Sequence, residues 1–593
     1  MQLTRLQVTN FRGISQVDLM LDTAATALFG ENNWGKTSLI VALSRCLTSP
    51  TPVEQLFTHE DFHRISNTRA SIARRLNITL YFQGHTPSKA FKPVSFAPPE
   101  HGDEAHPVQH QPGDVMIALR FMAERFGHGE IRARRYFIHA DGSEILSSEI
   151  LSGETEHPNT DALADELIRL HPVLRFKDMM LTDWLEHPRL SGKPQPEDPV
   201  LAASDAVRTV FERILTVPHQ LHPQELRQGL AAMQQLLSEN ATLVTRMDHE
   251  APAQRLAEQI AEAPLNFRDE DSLLDIANRT GSNLRRVALL MLIGALLNAR
   301  GEHAINREAS PILLMEDPET HLHPIQLAMI WGLIEQLPLQ KIITTNHGDL
   351  LASFPQRALR RLVRWPSHIH VYQLAANALS ISDARKVAFH IRSNRASSMF
   401  ARVWLLVEGE TEFWLLPELA RICGLNFPLE GIRCVEFAQA GLAPLIKFAD
   451  QIGIHWHVIC DGDDAGQKYQ QRAQKLLRGR DEDRHITVLP SRDIEHFLWD
   501  NGFADIYREA VNHYKNPMSP QHAAALAAQQ AAQMAESLPD DEIISRALRY
   551  RSKPGMALEI AEAAELAGRD SIPALLQDMF AIVQARSSSL PEY

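Results

Sequence analysis

The chain has 593 residues, with 59 Lys and Arg against 73 Asp and Glu, a formal net charge of −14, and 44% hydrophobic and 22% charged residues. This balance excludes a disordered or fibrous chain and, at roughly 150 residues per domain, leaves room for three or four structural units. The longest apolar run (Val287–Leu297) is too short to span a bilayer, Met1–Asn10 lacks a secretion signal, and Cys46, Cys423, Cys434 and Cys460 form no CxxC pair, so a cytoplasmic protein without membrane span, disulfide framework or zinc ribbon is expected.

Leu3–Asn10 alternates polar and apolar residues and predicts a strand. Ala25–Phe29 predicts another, running into Gly30-Glu31-Asn32-Asn33-Trp34-Gly35-Lys36-Thr37, with helical periodicity over Thr37–Leu47. This is a complete GxxxxGK[ST] motif in the strand–turn–helix context that it requires. Backbone N–H groups of such a loop and of the following helix N-terminus favour phosphate. Gly30, Asn32, Asn33, Gly35, Lys36, Thr37 and Ser38 are therefore the candidate ATP-binding residues, with Lys36 reaching the β/γ-phosphates and Thr37 ligating Mg²⁺. Asn77–Phe82 predicts a strand, His85–Asp114 an irregular surface insertion, and Phe121–Tyr136 a hairpin region. From Asp161 to Glu262 helical repeats dominate, broken by the Pro-rich Ser191–Pro199; Arg285–Asn298 predicts a buried helix.

Ile312–Glu316 and Lys341–Thr345 predict short strands separated by a helix near Ile325–Gln336, which is α/β wiring. The first ends in Glu316-Asp317-Pro318-Glu319 and the second in Asn346-His347. Acids at such a tip can hold Mg²⁺ and orient the attacking water, roles assigned to Glu316 and Asp317, with His347 a candidate γ-phosphate sensor. His321-Leu322-His323-Pro324 lacks a third metal ligand and is expected to be a structured turn.

A second α/β pattern begins after Ser382, with strands expected at Val403–Glu408, Gly431–Phe437 and His455–Asp461, helices at Phe413–Cys423 and Leu445–Ile452, and a mostly helical tail from Gly502. Glu408 closes one strand, and Asp461-Gly462-Asp463-Asp464-Ala465-Gly466 closes another. Strand tips of a parallel sheet converge on one crevice, so Glu408, Asp461 and Asp463 would crowd together, a repulsion that one or two Mg²⁺ or Mn²⁺ ions would relieve. Oxygen ligands favour such hard cations over zinc. The calcium-loop register DxDxDG is not met.

Asn10-Phe11-Arg12-Gly13 followed by the P-loop resembles the ABC-type ATPases of the RecF, Rad50 and SMC group. Gly281-Ser282-Asn283-Leu284-Arg285-Arg286 resembles their signature motif, which implies that Ser282 contacts ATP held by a second subunit and that the protein is at least a homodimer. Asn283 stands where Gly is usual, Arg285 where Gln is usual, and the acid pair is Glu-Asp rather than Asp-Glu. Glu408-Gly409-Glu410-Thr411-Glu412 followed by the Asp461–Gly466 motif is similar to the Toprim signature. An ABC-type ATPase followed by Toprim resembles the OLD (overcoming lysogenization defect) nucleases along essentially the whole chain. That resemblance implies an α/β fold in four parts: an N-terminal ATPase part over 1–160, a helical dimerisation insertion over 161–264, a C-terminal ATPase part over 265–392, and a Toprim domain with helical tail over 393–593. Leu489–Glu495 and Arg551–Pro554 match two further family segments, which implies Glu495 as a metal carboxylate and Lys553 as a stabiliser of the scissile phosphate. The implied metal cluster is Glu408, Glu412, Asp461, Asp463 and Glu495, and the implied function is ATP-regulated, Mg²⁺- or Mn²⁺-dependent DNA cleavage by two-metal hydrolysis, with phage defence and repair as family roles. A further protein partner is left open. The acidic total does not exclude DNA, because a local basic path can coexist with it. The rival readings are a DNA-binding repair ATPase whose Toprim domain only binds, and a transporter ATPase subunit, which leaves the C-terminal acids unexplained. A topoisomerase would need a nucleophilic Tyr and a primase a zinc-binding domain, and the sequence offers no convincing candidate for either.

Overall fold

The computed structural model describes residues 1–47, 52–64, 72–98, 113–126, 129–145, 160–176, 310–320, 327, 331, 335, 340–394, 396–514 and 538–591. The signature-like segment 281–286, the helix expected over 285–298, the His321–Pro324 turn and most of the helical stretch 161–264 lie outside those residues. The chain divides into two compact units, Met1–Val371 and Tyr372–Tyr593.

The strands of the first unit are β1 (Gln2–Phe11), β2 (Ile14–Met20), β3 (Ala25–Phe29), β4 (Arg75–Gly84), β5 (Ser95–Phe96), β6 (Val115–Arg125), β7 (Ile131–Ile138), β8 (Val173–Phe176), β9 (Ile312–Glu316), β10 (Gln340–Thr344), β11 (Leu359–Arg364) and β12 (Ile369–Tyr372). Its helices are α1 (Lys36–Leu47), α2 (Thr160–Leu170) and α3 (Gly348–Ser353). One sheet is antiparallel, ordered β2-β1-β4-β6-β5 with β7 also on β6. The other runs β12-β11-β3-β10-β9-β8, and its pairings from β11 to β8 are parallel. Alternation in β1 buries Leu6 and Val8, a break at Asn10 (φ 57°) brings Phe11 in as well, and Leu39, Ile40 and Leu43 of α1 join the same core. The hairpin expected near Phe121–Tyr136 is the antiparallel β6–β7 pair.

Two buried polar side chains tie the sheets. A register shift between Leu3 and Arg5 frees the Leu3 backbone, and the Gln340 side chain replaces a strand partner there: Leu3 N–H donates to Gln340 Oε1 (3.2 Å) and Gln340 Nε2 donates to Leu3 O (2.6 Å). Arg360 on β11 donates from Nε to Met20 O (2.7 Å), and burial pushes its pKa down to about 10. The sheet also extends into the stretch assigned from sequence to the helical insertion. α2 buries Leu163, Leu167 and Ile168 in the first unit's core, and β8 pairs with β9. A four-residue strand is too short to show a period in the sequence, and here β8 joins the sheet of the first unit.

The second unit carries α4 (Ile381–Asn394), β13 (Val403–Val407), α5 (Glu410–Ile422), α6 (Phe427–Glu430), β14 (Ile432–Glu436), α7 (Leu442–Ile452), β15 (His455–Cys460), α8 (Asp464–Gln474), β16 (Ile486–Val488), α9 (Ile494–Leu498), α10 (Ala504–Tyr514), α11 (Asp540–Arg551), α12 (Lys553–Ala567) and α13 (Ala574–Ser587). Its sheet is wholly parallel, ordered β14-β13-β15-β16, and the all-apolar Val403–Val407 run is buried on both faces. α4 belongs to this unit, so the unit starts ahead of residue 393.

Two local networks generate predictions. Asp61, whose side chain is fully enclosed, accepts from Arg12 Nε (2.8 Å), Arg45 Nη1 and Thr58 N–H (2.8 Å). Burial works against its charge, but these donors outweigh it and hold the carboxyl below its ordinary value. Asp61→Ala leaves two guanidinium groups uncompensated and is expected to cost about 3 kcal/mol, read as a drop in thermal midpoint; an unchanged midpoint refutes the lock. His457 on β15 donates from Nδ1 to Arg484 O (3.0 Å) and accepts at Nε2 from Thr487 Oγ1 (2.8 Å), a pattern the neutral ring satisfies. Burial pushes its pKa down to about 4. Its folded value lies below its unfolded one, so its stabilisation is complete above about pH 6.5 and is lost as pH falls toward about 4. His457→Gln should therefore flatten the pH dependence of the thermal midpoint in that window; an unaltered slope contradicts the assignment.

Candidate functional site

The first candidate site lies where β3, β10 and β9 end side by side, with Leu28 and Glu316 both in register with Thr344. The P-loop leaves β3 under tight steric control. A Cβ on Gly30 (φ 147°) would lie 2.5 Å from Leu362 O, and one on Gly35 (φ 93°) 2.8 Å from Ile369 Cδ1. Lys36 Nζ donates to Gly30 O, Glu31 O (3.4 Å) and Asn346 Oδ1 (2.9 Å). Burial lowers its pKa, against the opposing pull of Asp317, Glu319 and Glu31. Asn32, Asn33 and Thr37 are exposed along the loop mouth and Ser38 is half-buried in the first turn of α1.

The acids are held by the neighbouring strand. Thr344 Oγ1 donates to Asp317 Oδ1 (3.0 Å), and Asp317 N–H donates to Thr344 O (3.1 Å). Glu319 accepts from Thr345 Oγ1 (3.0 Å) and from Asn346 N–H. Glu316 is half-buried at the end of β9. His347 caps α3, its Nδ1 accepting from Leu350 N–H (3.4 Å), which leaves the neutral ring's hydrogen on Nε2. Sequence reasoning missed Asn346 and Glu319; the run of three acids within Glu316–Glu319 was the available signal for the second. Ser282 lies outside the described residues.

The second candidate site stands at the tips of β13 and β15. Glu408 and Asp461 each follow a strand end, Glu412 and Thr411 are buried in the first turn of α5, and Glu495 is buried in α9. Two glycines let the backbones converge. A Cβ on Gly462 would lie 2.5 Å from Ser491 O, and one on Gly466 1.9 Å from Asp461 O. Asp463 caps α8, Oδ1 accepting from Ala465 N–H (2.9 Å) and Gly466 N–H (2.7 Å). Glu495 Oε1 accepts from Thr411 Oγ1 (2.8 Å) and pairs with Lys553 Nζ (3.5 Å). Lys553, its side chain half-exposed, is the first residue of α12, which Ser552 (φ 66°) caps.

The electrostatics are those of crowded acids. Burial first, then Glu412 and Glu408, push Asp461 up to about 8. Burial, then Glu495 and Glu408, push Glu412 up to about 7. Burial and Asp463 raise Glu408. Burial works against the Lys553 charge, but Glu495, Glu412 and Asp461 raise its pKa. Tyr469 on α8 feels burial and Glu408, which raise its phenol, the wrong direction for a nucleophile. Glu408 Oε2 is buried with no hydrogen-bond partner. Among the described residues no three His, Cys, Asp or Glu side chains are already gathered closely enough to hold one ion, because Asp463 and Glu495 are partly turned to their cap, Thr411 and Lys553. The donor set is nonetheless all oxygen, short of positive charge and left with an orphaned carboxylate oxygen, and so fits a hard divalent cation.

Five of the six non-glycine residues with positive φ among the described residues, Asn10, Arg12, Asn33, Asp317 and Ser552, lie in the motifs singled out from sequence; Arg478 is the sixth. Such strain gathers at functional sites.

A unit that carries a P-loop motif joined to a Toprim-type carboxylate unit defines the class of this protein. The family profile described as "Protein of unknown function (DUF2813)" matches residues 1–398, and that of the "Overcoming lysogenization defect protein-like, TOPRIM domain" matches residues 399–463. Uncharacterized protein YbjD of Escherichia coli (strain K12) is 36% identical over 591 residues, 98% of each chain. The chain belongs to the DUF2813 family, with an OLD-like Toprim domain. Among solved structures, the C-terminal region of the Burkholderia pseudomallei OLD protein is 20% identical with TM-score 0.26, covering 32% of this chain and 100% of that one. The Pyrococcus furiosus Smc head domain bound to the C-terminal domain of ScpA is 13% identical with TM-score 0.33, covering 66% and 100%. No described helix is long and apolar enough to cross a membrane.

Gly466→Ala should destabilise the second unit by about 3 kcal/mol or more, read as a fall in thermal midpoint, because the contact is with backbone. Gly409→Ala, which meets only Glu412 Oε2 at 3.6 Å, should cost far less; equal midpoints for the two variants would contradict the steric account.

Proposed function

We propose that this protein is an ATP-regulated, divalent-metal-dependent DNA endonuclease. The observation that carries the proposal is the crowding of Glu408, Glu412, Asp461 and Glu495 near Lys553, with Asp463 acting on Glu408, and Glu408 Oε2 buried and unpartnered. These five carboxyls would hold Mg²⁺ or Mn²⁺. Such ions, when bound, neutralise charge on a phosphodiester and lower the pKa of the attacking water. Lys553 places its ammonium beside the carboxyls, where it would pair with a non-bridging phosphate oxygen.

In the first unit, Lys36 and the loop from Gly30 to Ser38 would bind the ATP phosphates, with Mg²⁺ at Thr37 and the acid tip. Glu316 would take the metal role and Asp317 the water-orienting role, and Glu319 joins them because its carboxylate, held by Thr345 and Asn346, acts with Asp317 to keep Lys36 charged. The His347 Nε2–H can donate to a γ-phosphate oxygen. Two copies of the chain, with Ser282 of one facing ATP of the other, complete the reading. The repair-ATPase alternative leaves the cost of gathering five carboxyls without a return.

Supercoiled plasmid incubated with Mn²⁺ or Mg²⁺ should be cut, and Glu408→Ala or Asp461→Ala should slow cutting roughly 100-fold. Wild-type rates in both variants would sink the nuclease assignment. Lys36→Ala should abolish ATP binding while leaving ATP-independent cutting intact. Mn²⁺ at about 100 times its Kd should stabilise the wild type by about 2.7 kcal/mol, and a Glu408→Gln/Asp461→Asn double variant should lose that gain. A double variant still stabilised by Mn²⁺ would move the metal elsewhere.

A further inference from the structure

The turn from Trp365 to His368, which joins β11 to β12, holds neither phosphate nor metal in the arrangement above, yet it is built onto the P-loop. Arg364 Nη2 donates to Asn33 O in the P-loop and to Gly13 O in the β1–β2 turn, both at 2.7 Å. Ser15 Oγ donates to Ser367 O (2.9 Å), Trp365 N–H closes the turn on His368 O (2.8 Å), and the Ile369 side chain lies against Gly35. On this base stands an aromatic group. The Trp365 and His368 rings stack with centroids 5.8 Å apart at 23°, His370 backs both at 6.4 and 6.0 Å, and Ser367 Oγ lies 3.0 Å from His368 Nδ1. Trp365 and His368 are each half-exposed.

We propose that Trp365 and His368 form the platform on which the purine base of a bound nucleoside triphosphate rests. This rests on the reading of the P-loop as the triphosphate site. The strand order β11-β3-β10-β9 sets the direction: the P-loop follows β3, and the acids and His347 follow β9 and β10 on one side of it. The γ end of a triphosphate is drawn to that side by Lys36 and the Mg²⁺-binding tip. The nucleoside end therefore leaves toward β11, where Arg364 anchors the turn to the loop. Flat rings held by backbone bonds lose little freedom when a base stacks on them, and every purine offers the required face.

The test is calorimetric binding of ATP and of inorganic tripolyphosphate to the full chain. The Trp365→Ala/His368→Ala variant should bind ATP at least about tenfold more weakly and tripolyphosphate as the wild type does. Wild-type tripolyphosphate affinity in the double variant guards against its misfolding, and Trp365→Phe, which keeps a flat ring, should restore most of the ATP affinity. Unchanged ATP affinity in the double variant overturns the platform, and so does an equal loss of tripolyphosphate, which would make the turn a prop for the P-loop. A wild type that binds neither compound overturns the P-loop reading itself, and the platform with it.

Discussion

The repulsion among carboxyls gathered at parallel strand ends is the constraint on which the second unit depends. β13 and β15 pair in parallel, so Glu408 and Asp461 emerge at the same edge whatever else the chain does. Two like charges a few ångströms apart cost about 1 kcal/mol in water and several times that where solvent is partly excluded. Here Asp461 and Glu412 rise to about 8 and about 7, and Lys553 brings one positive charge against five acids. Protons or a cation must settle the difference, and the orphaned Glu408 oxygen shows that hydrogen bonds within the protein do not. The first unit poses the converse case: one buried lysine, with Asp317, Glu319 and Glu31 acting to keep it charged.

What was legible in the sequence was whatever depends on neighbours a few residues apart. The P-loop, the Asp461–Gly466 run and the apolar strands are local patterns, and Ala25–Phe29 and Ile312–Glu316 are strands at the boundaries expected. Gly462 and Gly466 were visible as motif letters; the reason for Gly466 is local, because it makes room for the Asp461 backbone, but that for Gly462 is tertiary, because the atoms it makes room for are carbonyls of the 489–491 loop. Asn346 was illegible for the same cause. It bonds Lys36 across 310 positions, and its place at the polar strand end before His347 gives no sign of that partner. Asp61 belongs to no pattern that marks it as buried; only the fold brings Arg12 and Arg45 onto it.

The acidic total of −14 takes on a different meaning once these groups are placed. Part of the excess is concentrated in the crowded carboxyls at the strand ends, so net charge here reports a local cluster as much as a general surface property. A negative sum over the whole chain therefore carries little weight against a polyanionic partner.

The strained residues show how the same atoms serve stability and chemistry. Arg12 adopts φ 49° because its N–H donates to Asp61 O (2.7 Å) while its guanidinium is held by the Asp61 carboxylate. Asp317 adopts φ 39° because Thr344 takes its N–H and gives a hydroxyl to its side chain. Each such conformation costs of the order of 1–3 kcal/mol and persists only where surrounding bonds over-determine it. Asp61 and Thr344 touch no phosphate in this arrangement, yet each fixes the backbone of a residue beside the P-loop or at the acid tip. Selection on nucleotide chemistry would then act on these two positions through the backbone angles they enforce, which is why neither reads as functional in the sequence by itself.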